Sequence, residues 1–227
     1  RPGTSRGDQV SAVIEGQAPD LVCVTEGFRE ILPGNGHVIE SGADYGYRMY
    51  AGRRKVLLWS RRPWTEVDLV GYPDMPSGRF VAGVTDTPLG EIVVTGVCIP
   101  WRAAHVSTGR KDRKVWEDHV SYLEHLPKAS SFSEASRPRI VLGDFNQRIP
   151  GSRTPHRGYA QFADPFAACR SPTERVVPGS GVQVVAHVAH CDQLECVGVS
   201  GWPNTLSGRR MSDHPGVVVQ LVSRGDT

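Results

Sequence analysis

The sequence predicts an α+β fold in a single domain, and three observations support this prediction. The 227 residues fit one domain of ordinary size. Apolar or β-branched runs, most of them about four to eight residues long and bounded by Gly, Pro, Asp or Ser, indicate about eight or nine strands. Segments with helical spacing are fewer and unevenly interspersed. This pattern favours layered sheets over a regular β/α barrel.

The predicted strands follow one another along most of the chain. The first is Leu21–Thr25, and Pro19 separates it from a short helix at Asp8–Gly16. The others, in chain order, are Lys55–Ser60, Glu66–Val70, Arg79–Thr85, Glu91–Ile99, Arg139–Leu142, Gln183–Val188, Gln193–Val199 and Gly216–Val222.

The clearest helix is predicted over Lys111–Leu126. Apolar residues recur there at intervals of three and four residues until Pro127 ends the pattern. The Ser- and Ala-rich stretch Lys128–Ser136 is interpreted as a surface loop that leads into the next strand. We therefore expect no domain boundary at this stretch.

Composition and charge exclude some classes of protein. No apolar run approaches the roughly 20 residues that span a bilayer, so we expect a soluble protein without membrane insertion, with the cytoplasm favoured as its compartment. The formal charge is only +2, so any attraction for phosphate must be local. Basic residues that could flank an acidic substrate, or simply be solvated, cluster at Arg53–Lys55, Arg61–Arg62, Arg110–Lys114 and Arg209–Arg210.

The five Cys residues are interpreted mainly as buried thiols. None of them belongs to a C-x-x-C pair of the kind that holds structural zinc. Cys23 and Cys98 lie within apolar runs, which suits a small hydrophobic side chain. Cys191 and Cys196 could pair in an oxidising compartment.

Polar side chains with catalytic potential follow the ends of two predicted strands. Glu26 closes the first strand, where a carboxylate either binds a metal ion such as Mg²⁺ or is a solvated edge residue. Asp144 and Asn146 follow Gly143 after another apolar strand, and in an extended chain they would share one side. Asp144 could accept a proton from water, while Asn146 would donate to a phosphoryl oxygen or fix the carboxylate. The alternative for this pair is an Asx turn.

Asp213 and His214 stand immediately before Pro215 and the last predicted strand. Because a residue before proline favours extended geometry, the two side chains should project to opposite sides. Asp213 could then contact a metal ion or its water, and His214 could face a phosphate. Asp192, just ahead of another strand, could stabilise a protonated His214. A lone His could equally be a satisfied surface or core residue.

Taken together, these motifs resemble the endonuclease/exonuclease/phosphatase family, which includes deoxyribonuclease I and exonuclease III-type nucleases. The resemblance covers nearly the whole chain and is carried by PDLVCVTE, IVLGDFN, HCDQLECVGVS and SDHPGVVVQL. The GDFN and SDH motifs form its most specific pair. It implies a four-layer αββα sandwich of two mainly antiparallel sheets with outer helices.

The resemblance also implies a role for each candidate residue. Glu26 and Asp213 would be the metal ligands, with Mg²⁺ or Mn²⁺ as the ion. The catalytic residues would be Asp144, Asn146, Asp192 and His214. The first two of these would position and activate the attacking water, and His214, oriented by Asp192, would stabilise the phosphoryl transition state.

Two features depart from the family pattern. Nothing before Asp8 resembles the family's first strand, which carries an Asn at the metal site, so we expect that strand to be missing from residues 1–227. The strand Glu91–Ile99 has Cys98 where the family usually has a His or Tyr that contacts the phosphate. Three residues of the following loop could replace it, namely Arg102, His105 and Arg110.

The predicted function is hydrolysis of a phosphodiester by in-line attack of a metal-oriented water. Nucleic acid is the favoured substrate, DNA more than RNA, because basic clusters and aromatic residues suit phosphate contacts and base stacking. One alternative is a phosphatase or phosphodiesterase that acts on a lipid, inositol or nucleotide substrate. Another is a catalytically inactive binding domain with the same fold. We expect a monomer.

Overall fold

The computed structural model describes residues 5–133, 136–149, 166 and 169–225. These residues form mainly strands, with few helices. In chain order the elements are α1 (Arg6–Gly16), β1 (Leu21–Phe28), β2 (His37–Glu40), β3 (Arg53–Ser60), β4 (Trp64–Asp68), β5 (Phe80–Thr87), β6 (Gly90–Cys98), α2 (Glu117–His125), α3 (Ser130–Ser133), β7 (Arg139–Asp144), β8 (Ala186–His190), β9 (Leu194–Trp202), β10 (Thr205–Leu206), β11 (Arg209–Arg210) and β12 (Gly216–Ser223).

Two sheets pack against each other. One has the strand order β1-β3-β2, and the other has the order β4-β5-β6-β7-β8. All neighbouring strands in them are antiparallel except β6 and β7, which are parallel. Strand β3 contacts β5 and β6, and β1 contacts β6 and β7. The antiparallel pair of β9 and β12 packs beside β8.

The five-stranded sheet separates two cores, because successive side chains of a strand point to opposite faces. Val81 points into the core between the sheets, where it joins Leu58 of β3. Its neighbour Phe80 points to the other face, where helix α2 contributes Tyr122 and Leu123. Helix α2 therefore covers the outer face of this sheet.

The outer face of the three-stranded sheet is covered as well. Leu57 and Trp59 of β3 pack there with Leu32, and the indole N–H of Trp59 donates to the carbonyl of Pro33 at 2.8 Å. Helix α1 adjoins the neighbouring 3₁₀ turn Arg29–Ile31. The order of layers is helix, sheet, sheet and helix, which confirms the predicted αββα sandwich.

Element boundaries differ from the prediction where loop contacts override local pattern. The predicted helix Lys111–Leu126 begins only at Glu117, since Trp116 has a left-handed φ of 73° and donates its N–H to the carbonyl of Arg102 at 2.6 Å. Strand β2 was not predicted because it spans only four residues.

All five Cys are free thiols. No helix in the described part of the chain combines the length and apolar character that a bilayer crossing requires. That residues 1–227 form one domain without the first strand of the family fold stays a prediction.

The parallel pair of β6 and β7 leaves no room for a side chain at Gly143. Its φ is +140°, and a Cβ atom there would lie 2.0 Å from the carbonyl oxygen of Val97. We expect Gly143→Ala to lower the free energy of unfolding by about 3 kcal/mol or more, as measured by urea denaturation. The control is Gly34→Ala, where an added Cβ meets nothing within 4 Å. Equal losses in the two variants would contradict the prediction.

Candidate active site

Glu26 lies near the end of β1, between Thr25 and Gly27, whose partners Val56 and Arg54 flank Lys55 in β3. The Lys55 ammonium group donates a hydrogen bond to Oε1 of Glu26. Nη2 of Arg53 donates to Oε2 at 2.7 Å. Both oxygens of this predicted metal ligand are therefore bound by cations of the chain itself.

Lys55 is a buried part of this arrangement. Only 8% of the residue is exposed, although lysine is seldom buried unless it is paired. Its Nζ atom lies 5.0 Å from the ring centroid of Tyr45 and 5.5 Å from that of Tyr47. One carboxylate and two aromatic faces thus compensate for the loss of hydration.

Asp144 and Asn146 form a tight turn at the end of β7. Oδ1 of Asp144 accepts the backbone N–H of Asn146 at 2.8 Å, and Oδ2 accepts from Nδ2 of the same residue at 3.1 Å. Nδ2 also donates to the carbonyl of Ile99 at 2.7 Å. Asn146 has a φ of 52°, a left-handed conformation that Asn tolerates. The turn is therefore an Asx turn in which the amide fixes the carboxylate.

The carboxyl group of Asp144 is 6% exposed, and burial raises its pKa to about 6. The N–H of Asn146 and the charges of His214 and Lys55 act to lower this pKa, whereas the charge of Glu26 raises it. Groups from β1, β3 and the turn before β12 therefore act on one carboxyl group at the end of β7. A pKa near 6 suits proton exchange close to neutral pH.

Asp213 and His214 lie in the exposed turn that leads into β12. The carbonyl of Asp213 accepts from the Asn204 side chain at 3.3 Å, and the carbonyl of His214 accepts from the hydroxyl of Ser212. Nowhere in the described ranges do three or more His, Cys, Asp or Glu side chains form a group that could hold a metal ion. With Glu26 bound by two cations, these side chains do not fit the predicted Mg²⁺ or Mn²⁺ site.

Asp192 lies away from this cluster. Strands β7 and β8 are antiparallel, and Asp144 pairs with Ala186 at the start of β8. The chain then runs about 13 Å along β8 before it reaches Asp192. There the carboxylate pairs with Arg170 at 2.8 Å and with Arg224 at 3.8 Å. The structure therefore does not bring Asp192 together with Asp144, and the observed partners of its carboxylate are Arg170 and Arg224 instead of the expected His214.

The surroundings of Cys98 differ from those expected. The guanidinium of Arg79 is buried, and its Nη1 donates to the carbonyl of Cys98 at 3.4 Å and lies 3.9 Å from its Sγ. Burial raises the pKa of the Cys98 thiol to about 12, so the thiol is neutral. His105 is buried beside the ring of Tyr47, and its Nδ1 accepts the N–H of Arg110 at 3.2 Å. Arg79, and not His105, is therefore the cation that contacts Cys98 among the described residues.

Sequence reasoning did not assign Lys55, Arg79 or Tyr47 to the site. Lys55 and Arg79 each open a predicted apolar strand, and Lys55 also belongs to the basic cluster Arg53–Lys55. A cation at a strand end is usually solvated, so the pattern alone does not separate a buried cation from an exposed one.

The model of the endonuclease/exonuclease/phosphatase family matches residues 2–214. The chain belongs to this family. No match was found among curated proteins.

Solved structures of endonuclease/exonuclease/phosphatase proteins share the fold. One such protein from Beutenbergia cavernae has a TM-score of 0.63 and 17% identity, over 98% of this chain and 67% of that chain. Humanized D. rerio TDP2 has a TM-score of 0.68 and 12% identity, over 96% and 91%. The 3′ phosphatase NExo from Neisseria, bound to a product DNA hairpin, has a TM-score of 0.66 and 15% identity, over 95% and 93%. At these identities the similarity shows the fold alone.

The raised pKa of Asp144 predicts a pH-dependent loss of stability. Between the ordinary value of 3.8 and about 6, the unfolded chain releases this proton while the folded chain keeps it. The contribution of Asp144 to the free energy of unfolding therefore falls as the pH rises through this window, by on the order of 2 kcal/mol. Asp144→Asn removes this titration, so its stability relative to the wild type should rise between pH 4 and pH 7.

Urea denaturation at several pH values checks this prediction. Asp192→Asn is the control, because Arg170 lowers the pKa of Asp192 and the relative stability of this variant should not rise over the same window. A relative stability of Asp144→Asn that stays constant with pH would show that Asp144 has an ordinary pKa.

Proposed function

We propose that this chain hydrolyses phosphodiester bonds, with nucleic acid as substrate and DNA favoured over RNA. The observation that supports this most is the buried carboxyl group of Asp144, held by Asn146 and surrounded by charged groups from three other elements. The family includes nucleases and phosphatases, so phosphoester hydrolysis is its common chemistry.

In the proposed reaction, Asp144 accepts a proton from the water molecule that attacks the phosphorus atom. Its pKa near 6 leaves the carboxyl group ionised at neutral pH, and the two donors of Asn146 fix its direction. His214, when protonated, donates to an oxygen of the phosphoryl group. The bond to the leaving oxygen breaks on the side opposite the attacking water, and this oxygen takes up a proton from solvent.

The Mg²⁺ or Mn²⁺ ion predicted at Glu26 and Asp213 stays a prediction. A divalent ion would supply positive charge for the phosphoryl oxygens when bound. Because Glu26 is bound by Lys55 and Arg53, the proposed reaction uses only groups of the chain.

Nucleic acid is favoured by exposed aromatic and basic side chains near the site. Tyr50, 50% exposed, stacks under the guanidinium of Arg48 at 5.6 Å and accepts the backbone N–H of Arg53. Trp101 is 43% exposed and follows shortly after Ile99, which contacts Asn146. Exposed rings beside cations suit the stacking of unpaired bases. D. rerio TDP2, which shares the fold, was solved with a single-strand DNA product.

Substitution of the catalytic groups tests the proposal. Single-stranded DNA, duplex DNA, RNA, a chromogenic phosphodiester, inositol phosphates and sphingomyelin would each be incubated with Mg²⁺, Mn²⁺ or EDTA. We expect hydrolysis of DNA, with kcat lowered about 100- to 10,000-fold in Asp144→Asn because the proton acceptor is lost. His214→Ala should lower kcat about 100-fold through loss of a donor to the transition state.

Asp192→Asn is the matched control for the loss of a carboxylate, and its kcat should stay within about twofold of the wild type. A large loss in Asp192→Asn would restore its predicted catalytic role. A wild type that hydrolyses none of these substrates under any of the three conditions would support the inactive binding domain instead. Cleavage of inositol phosphates or sphingomyelin alone would change the substrate class.

A further inference from the structure

Three cations, Arg53, Lys55 and Arg79, lie at the end of the sandwich that holds Asp144. Arg53 and Lys55 share the single carboxylate of Glu26. Arg79 contacts Cys98, which pairs with Asp144 across β6 and β7, and the charges of Lys55 and Glu26 also act on this thiol. Within the described part of the chain, one of these cations has donor atoms with no hydrogen-bond partner and forms no ion pair with a carboxylate.

Arg79 is that cation. The residue is 2% exposed, and within the described ranges its Nε and Nη2 atoms have no hydrogen-bond partner. An arginine side chain does not lose its proton in proteins, so an ionised group is buried with two donors unused. Nε and Nη2 point from the same edge of the guanidinium, and this edge is the fork that binds two oxygens of a phosphate or carboxylate. The buried edge is therefore shaped for an anion.

Lys55 and Arg79 both lie close to the aromatic ring of Tyr47. Nζ of Lys55 is 5.5 Å and Cζ of Arg79 is 6.0 Å from the ring centroid of Tyr47. Tyr47 is half-buried, and its hydroxyl accepts the backbone N–H of His105 at 3.1 Å, which fixes the ring. Two buried cations are thus held close together beside the carboxyl group of Asp144.

The position of Lys55 also opposes a divalent ion at Glu26. Its ammonium group already donates to Oε1, and an incoming divalent cation would have to displace it or bind next to a like charge. An ammonium group in this place supplies positive charge that needs no ligand set. The arrangement gives Glu26 a role as the partner of Lys55, although the described side chains form no ion site around it.

We propose that Lys55 and Arg79 are the resident cations of this site and bind the phosphoryl group of the substrate without a divalent metal ion. Arg79 binds two phosphoryl oxygens through Nε and Nη2, and Lys55 supplies the charge that Mg²⁺ was predicted to supply. Tyr47, the half-exposed residue that contacts both, marks the side from which the anion reaches them. The inference rests on the proposed function only for the hydrolysis that follows binding.

Calorimetry with inorganic phosphate in the presence of EDTA tests the binding step. The wild type should bind phosphate, and Lys55→Met and Arg79→Lys should each weaken binding about tenfold or more, because each removes a charged or bidentate contact. Arg62→Met is the matched control. Arg62 is an exposed cation in a cleft with Asp20 and Asp86, at the opposite end of β3, and its loss should leave phosphate binding unchanged.

Titration with Mg²⁺ tests the replacement of the ion. Lys55→Met frees Oε1 of Glu26 and removes the like charge, so this variant should bind Mg²⁺ about tenfold more tightly than the wild type. Thermal unfolding checks that each variant is folded, and Lys55→Met decides the outcome by itself if Arg79→Lys does not fold.

The failure of this inference and that of the proposed function give different results. The inference is wrong if the wild type binds no phosphate in EDTA. It is also wrong if phosphate binding requires Mg²⁺ and Lys55→Met does not change the Mg²⁺ affinity. Both results count whether or not DNA is hydrolysed. Phosphate binding in EDTA that depends on Lys55, without hydrolysis of any substrate, would overturn the proposed function and leave the inference standing.

Discussion

The parallel pairing of β6 with β7 is the constraint on which the rest of the structure depends. Parallel neighbours need a crossover connection, and here the connection contains α2, which covers the outer face of the sheet. The same pairing places Cys98 beside Asp144 and requires glycine at Gly143, where any Cβ would strike the backbone of β6. One helix layer and one half of the site therefore follow from a single contact between two backbones.

The three-stranded sheet contributes the charged side chains of Glu26 and Lys55 to the site. Glu26 and Lys55 meet because β1 and β3 are antiparallel neighbours, and both reach the carboxyl group of Asp144 across the sandwich. Glu26 is exposed, whereas burial gives the charges of Lys55 and Asp144 a larger effect than they would have in water. Burial raises the pKa of Asp144, and it makes the unused donors of Arg79 costly unless an anion binds them. Catalytic potential and anion binding thus share one physical origin, the exclusion of water from the end of the sandwich.

Several features of the site were accessible from sequence because they are local. Asp144 and Asn146 lie two residues apart after a strand that ends in glycine, and the predicted Asx turn and the predicted fixing of the carboxylate both describe the observed hydrogen bonds. Asp192 was assigned by the same local reasoning, from an acid ahead of an apolar run. The strand register, which no local pattern reveals, places Ala186 opposite Asp144, and Asp192 pairs with Arg170 and Arg224.

By itself the sequence determined the fold class, the family and the residues that close β1 and β7, because strand period, chain breaks and short motifs are written in neighbouring residues. Only the tertiary structure decided which charges meet. Lys55 and Arg79 stand 24 positions apart in the chain, and each could be solvated; packing of two sheets buries both beside Tyr47 and gives Glu26 an ammonium partner. Burial and cross-strand register are properties of the packed sheets, and they determine the chemistry available at this site.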